Sequence, residues 1–181
     1  LASVATAIGW WSHGPLSKIM LTSRRGVAYY AEAHRSRWNA WVHTVGMPVS
    51  IYGLLLVAAA IAPSNLRIRT MWMLYYLYGG HYLRMGLLKS IPYYLVYGPV
   101  TWQAAKAVLS MSREYNASEE LREEYGSLRA YILYEGLGYS TGGLLVQEAL
   151  GHRLGGDMPS RPEAVPNAIL YALYFSVMHN H

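Results

Sequence analysis

Two stretches of this chain gather the residue types that bind metal ions and move protons. The first, Tyr30 to Pro48, reads Y-A-E-A-H-R-S-R-W-N-A-W-V-H-T-V-G-M-P and holds His34, Asn39 and His43. Asn39 and His43 are four residues apart, so they share one face of a helix, and Ser36 is placed to cap its start. A chain turn around Ser36 brings His34 back toward them. The second, Glu148 to Pro162, reads E-A-L-G-H-R-L-G-G-D-M-P-S-R-P, with Glu148 one helical turn before His152 and Asp157 five residues beyond it. Three imidazoles with carboxylates nearby suit Fe(II) or Zn(II), borderline cations that favour neutral nitrogen ligands and whose open positions permit chemistry. The plainer account is that each imidazole, at a helix end in a membrane interface, is hydrogen-bonded or solvated, and that Glu148 only orients or pairs with His152. His81, inside an apolar segment, reads equally as ligand, buried hydrogen-bonding residue or packing residue. His179 and His181 carry little weight.

These residues need a scaffold, and the distribution of charge says which. The 181 residues are of single-domain size and 53% are hydrophobic, which alone decides nothing. Charges instead crowd into a few short stretches and leave long segments nearly bare, the pattern of a polytopic membrane chain. Tyr (17) and Trp (6) far outnumber Phe (1), and amphipathic rings prefer the headgroup boundary to the hydrocarbon middle. Apolar runs at about 39–62, 71–88, 91–109 and 130–150 predict four spans, with a shorter fifth helix from Asn167 to Met178. Pro48 is expected to kink the first, and Pro63-Ser64-Asn65 closes it. Asn116 with Glu119 is the expected helix start in the polar connection from Ser112 to Arg129. The expectation is therefore an all-α fold: a polytopic transmembrane bundle of four or five helices over 31–181, preceded by an interfacial amphipathic segment over 1–30, in one membrane domain over 1–181.

The net charge of +5 includes Arg24, Arg25, Arg35 and Arg37 just ahead of the first apolar run, which reads as membrane-surface charge. No basic strand interleaved with aromatics and no recognition helix is visible, so nucleic acid is not an expected partner. There is no Cys, which excludes thiolate metal sites, disulfides and a cysteine nucleophile. The start at Leu1, with no basic n-region or small-residue cleavage pattern, fits a targeting peptide already removed.

The two stretches together resemble the family of the fungal-type Fe(II)-dependent 2-hydroxy-fatty-acid dioxygenase, small multi-pass membrane proteins of fatty-acid α-oxidation. His34, Asn39, His43, Gly46 and Pro48 look like that family's first motif. Gly151-His152 followed by Pro159 looks like its second. The second motif departs at two places: Glu148 stands where the family commonly has Gln, and Gly156 stands where it usually has Glu, with Asp157 one residue later. With the order of apolar segments, the resemblance covers roughly Tyr30 to His179. It implies that His34, His43 and His152 hold Fe(II), that a 2-hydroxy fatty acid chelates the metal, and that oxidative decarboxylation shortens it by one carbon. Glu148 and Asp157 are then the candidate catalytic carboxylates, and Asn39, Arg35 and Arg153 the candidate substrate-binding residues, the arginines pairing with the carboxylate. The acyl tail lies among the spans, and the location is the endoplasmic reticulum.

Two other classes compete. One is a non-catalytic accessory subunit of a large organellar assembly, such as one of the mitochondrial inner membrane, which keeps the fold without the chemistry. The altered second motif and the Gly-rich spans, suited to contacts with other subunits and membrane lipids, support it. The other is a b-type haem protein using, for instance, His43 with His81. A serine hydrolase is disfavoured because no G-x-S-x-G nucleophile elbow is expected.

Overall fold

The structure is a computed structural model and describes residues 35–84 and 87–157. The expected interfacial segment over 1–30, His34, and the expected helix from Asn167 to Met178 lie outside the described residues. Among the described residues all regular structure is helical.

Helix α1 spans Arg37–Ile61. Ser36 caps it with extended backbone and accepts a long hydrogen bond from the Asn39 amide at 3.5 Å. The helix runs on through Pro48 and stops at Ala62, whose extended backbone is what a following proline demands. Helix α2 spans Arg67–Arg84 and α3 spans Leu87–Ala117, longer than the expected 91–109 and reaching into the polar connection. A short helix α4, Glu119–Tyr125, is capped by Ser118, which accepts from Leu121 N at 3.2 Å, and is ended by Gly126 in the left-handed region. Ser118 thus takes the capping role expected of Asn116, whose carbonyl instead accepts from the Arg122 guanidinium at 2.7 Å. Helix α5 spans Leu128–Val146, capped by Ser127, and continues without a break into a π-helical segment, Gln147–Arg153.

Of these, α1 alone among the described residues is long and apolar enough to cross a membrane. Helix α2 opens on Arg67 and Arg69, α3 carries Lys106, Arg113 and Glu114 along its second half, and α5 is rich in Tyr and Gly. Large apolar side chains nevertheless face outward on all four long helices, including Val45, Leu83, Leu95 and Leu145. The inward faces form one core of Leu55, Leu56, Ala59, Met71, Val108 and Ile132, and a second of Tyr82, Tyr93 and Tyr97.

The most extensive helix pair is α1 with α5, and small residues make it possible. A Cβ on Gly136 would lie 2.8 Å from Val57 N and 3.0 Å from the Gly53 carbonyl oxygen, while one on Gly53 would meet the backbone of Ser140 and Gly136. Backbone therefore touches backbone here, as in close-packed helix pairs of membranes. Gly53→Ala is expected to destabilise the fold by about 1–3 kcal/mol through overpacking. Gly138→Ala, where a Cβ meets nothing within 4 Å, should be neutral or gain up to about 1 kcal/mol in helix propensity. Thermal unfolding of both variants in one detergent checks the pair, and equal loss in the two would refute the packing account.

Candidate functional site

The close contact between α1 and α5 brings the two sequence stretches together at one end of the bundle. Asn39 and His43, on the first two turns of α1, face the π-helical segment and are both buried. That segment turns Gln147, Gly151 and His152 inward. The His43 and His152 rings meet edge to face with centroids 5.1 Å apart, although the residues are far apart in sequence. Gly151 is what lets them meet: a Cβ there would lie 2.5 Å from Asn39 Oδ1 and 3.2 Å from His43 Cε1.

Hydrogen bonding fixes the chemistry of each ring. His43 Nδ1 lies 3.0 Å from the Asn39 carbonyl oxygen, which can only accept, so Nδ1 carries the proton and Nε2 keeps its lone pair. The Asn39 side chain lies between Asp157 and His152. Its Nδ2 donates to Asp157 Oδ2 at 2.8 Å, and since a carboxylate only accepts, the orientation of the amide is set. The second Nδ2 hydrogen is directed to His152 Nδ1 at 3.3 Å, which makes Nδ1 the acceptor and puts the proton of neutral His152 on Nε2, 3.9 Å from Glu148 Oε1. Asp157 Oδ2 also accepts from Ser36 N at 3.1 Å, which gives the start of α1 an anionic partner.

The spacing of the second stretch has a structural cause. Asp157 N donates to the His152 carbonyl at 3.1 Å, the closing bond of a helix end at which Gly156 adopts φ 72, which a side chain would strain. A Glu at position 156 is thus disfavoured in this chain, and the carboxylate one residue later reaches Asn39. Before His152 the π-helical repeat itself operates. Gln147, five residues before it, is buried and donates to Ser50 Oγ and to the Gly143 carbonyl, each at 2.9 Å, whereas Glu148 is half exposed. The two departures from the expected motif thus have different local causes, the π-helical repeat before His152 and the glycine-ended turn after it.

Of the candidate residues, then, Asn39, His43, His152 and Asp157 converge, and Glu148 sits at their edge. Arg35 and Arg153 are exposed at the same end of the fold, and neither makes a hydrogen bond to this cluster among the described contacts. His34 lies outside the described residues, and among those described no three His, Asp or Glu side chains form a group that could hold a metal ion. His81 is buried and stands edge-on to Tyr82 at 5.5 Å, while His43's imidazole neighbour is His152. Gln147 and Trp38, whose Nε1 donates to the Leu150 carbonyl at 2.7 Å, hold the site together but were not singled out by the sequence reading. Their signal was the π-helical phase, which leaves no mark in composition. The letters G-x-S-x-G do occur, at Gly138-Tyr139-Ser140-Thr141-Gly142, but inside continuous helix α5, where Ser140 Oγ donates to the Leu137 carbonyl at 3.2 Å. The strand and sharp turn that expose a hydrolase nucleophile are absent there, so the pattern is no nucleophile elbow.

Asp157→Ala removes the acceptor shared by Ser36 N and Asn39 Nδ2 and should destabilise the fold by about 1–3 kcal/mol. Nitrogen-15 spectra of the labelled imidazoles should show His152 as the Nε2–H tautomer in the wild type and as a mixture in the variant, with His43 as Nδ1–H in both. An unchanged His152 signal would rule out control of its tautomer through Asn39. No protein-family model, no curated protein and no solved structure matches this chain, and the reading of the site rests on its own residues.

Proposed function

We propose that this chain is a membrane-embedded, dioxygenase-like enzyme that uses Fe(II) to decarboxylate 2-hydroxy fatty acids oxidatively. The supporting observation is the convergence, in one buried polar site, of the two stretches that carry the resemblance: His43 against His152, bridged by Asn39 and Asp157. The outward apolar side chains on the four long helices favour embedding of the whole bundle, with α1 crossing the membrane.

The donor set fits the metal in part. His43 holds Nδ1–H on a backbone carbonyl and presents Nε2, the arrangement that orients a ligating imidazole. His152 presents a ligand nitrogen once its contact with Asn39 or its Nε2 proton is given up, and His34 supplies the third imidazole. Fe(II), when bound, supplies the redox chemistry through which dioxygen reacts with an organic substrate. The overall change is balanced: a 2-hydroxy acid and one O2 give the acid one carbon shorter, CO2 and water. The chain's own part is to bind and orient. Arg35 and Arg153 pair with the substrate carboxylate, and Glu148 accepts the proton that His152 loses from Nε2.

A second reading, an accessory subunit that retains the fold, is favoured by one observation. Gly138 and Gly142 lie one turn apart on α5, and a Cβ at either meets nothing, so this small-residue pair serves no contact among the described helices. It is free to receive a helix of another subunit.

Metal analysis of anaerobically purified protein separates the readings. The enzyme predicts near-stoichiometric iron in the wild type, at least tenfold weaker binding in His43→Ala and His152→Ala on loss of a ligand, and shortening of a 2-hydroxy fatty acid only in the iron-loaded wild type. Absence of metal from wild type and variants alike would eliminate the iron mechanism and leave the accessory subunit.

A further inference from the structure

An apolar groove of about 510 Å³ runs along the crease between α1 and α5, lined by Trp38, Val42, Val45 and Val49 on one side and Val146 and Leu150 on the other. It has the size of a small-molecule site, and no polar surface lines it. Three features make it more than an irregularity in a lipid-facing surface. Its lining includes Gly46, Gly142 and Gly143, of which Gly142 leaves the space open, since a Cβ there meets nothing within 4 Å. Its lining residues adjoin the buried cluster in the chain at three points: Trp38 precedes Asn39, Val42 precedes His43, and Leu150 precedes Gly151-His152. Its end near the cluster is tied by the Trp38 to Leu150 hydrogen bond, and exposed Arg35, Arg37 and Arg153 lie within three residues of those two, so positive charge stands where an apolar ligand would carry an anionic head. From Trp38 to Val49 the groove follows α1 for roughly 16 Å, at about 1.5 Å per residue.

We infer that this groove holds the tail of a single long-chain fatty acid with its carboxylate toward Arg35, Arg37 and Arg153, and that Gly142 sets how much tail it accepts. The inference rests on the proposed function only for the identity of the head; the groove, its apolar lining and the arginines stand without it. Gly142 is the apt determinant because a Cβ there meets nothing within 4 Å, so a larger side chain enters the groove without disturbing the helix contact. Gly143 differs, since a Cβ there would collide with Ser50. An acyl chain suits the groove better than a protein helix: the crease is narrow, and its charged end matches a carboxylate.

The test uses the full chain in nanodiscs of zwitterionic phospholipid, with a palmitic acid analogue carrying a mid-chain diazirine and mass spectrometry to locate the adducts. The expected result is adducts concentrated on Val45, Val49 and Val146, several-fold fewer in Gly142→Leu, and no change in Gly138→Leu. Chain-length competition should shift toward shorter acids in Gly142→Leu. Adducts spread over other outward residues such as Leu83, Leu95 and Leu145, or equal loss in both glycine variants, would overturn the inference and mark the groove as bathed in bulk lipid. The two readings fail separately. Concentrated adducts on a protein without iron support the groove and refute the chemistry, and dispersed adducts on an iron-loaded active protein do the reverse.

Discussion

Backbone contact between α1 and α5 is the constraint on which the rest depends. With Gly53 facing Gly136 and Ser140, the two helices can pack in one register only, because sliding either by a residue would drive side chains into backbone. That register decides which end of α5 lies beside Asn39 and His43. It also decides that Gln147 reaches Ser50, so the polar bond behind the imidazole pair follows from the apolar packing in front of it. Buried side chains committed to one another in this way are hard to rearrange.

The π-helical segment solves a problem that the same register creates. An ordinary α-helical continuation of α5 would place residues four apart on one face, turning Glu148 inward with His152 and leaving Gln147 off that face. Widening the repeat to five instead aligns Gln147 with His152. The neutral amide is thereby buried and the carboxylate of Glu148 left half exposed, the cheaper distribution where solvation is poor. Gly156 then reverses the chain so that Asp157 reaches the first turn of α1, where a carboxylate is favoured by the helix dipole.

This separates what could be read in the residues from what could not. The start of α1 was legible because a capping serine and a four-residue Asn to His spacing are local rules, and Ser36, Asn39 and His43 do what those rules say. The four long helices were legible from apolar runs bounded by charge or proline. Their ends were less so: α3 runs on to Ala117 because nothing between Leu109 and Ala117 breaks a helix, polar though that stretch is. The pairing of His43 with His152 is non-local and was carried by the resemblance, not by spacing. The role of Gln147 could not be read, because it depends on a change of helical repeat, and Asp157, singled out beside His152, reaches Asn39 through a turn at Gly156 that spacing does not specify. Glu148, one turn before His152, stands 3.9 Å from its Nε2.

The Asn39 side chain is where structure and chemistry meet. Its one amide nitrogen is shared between a carboxylate that fixes its orientation and an imidazole whose proton it thereby places. The state of Asp157 is therefore transmitted to His152 with no direct contact between them. While Asp157 is ionised, His152 Nδ1 is kept as an acceptor and Nε2–H is presented toward Glu148. If a ligand or cation draws Asp157 away, the amide is released to turn and His152 can present Nε2 as a lone pair, the state a metal requires. Any cation that took His152 Nε2 as a ligand would have to displace a hydrogen bond as well as a proton, and would act on the first turn of α1, where Asp157 is held.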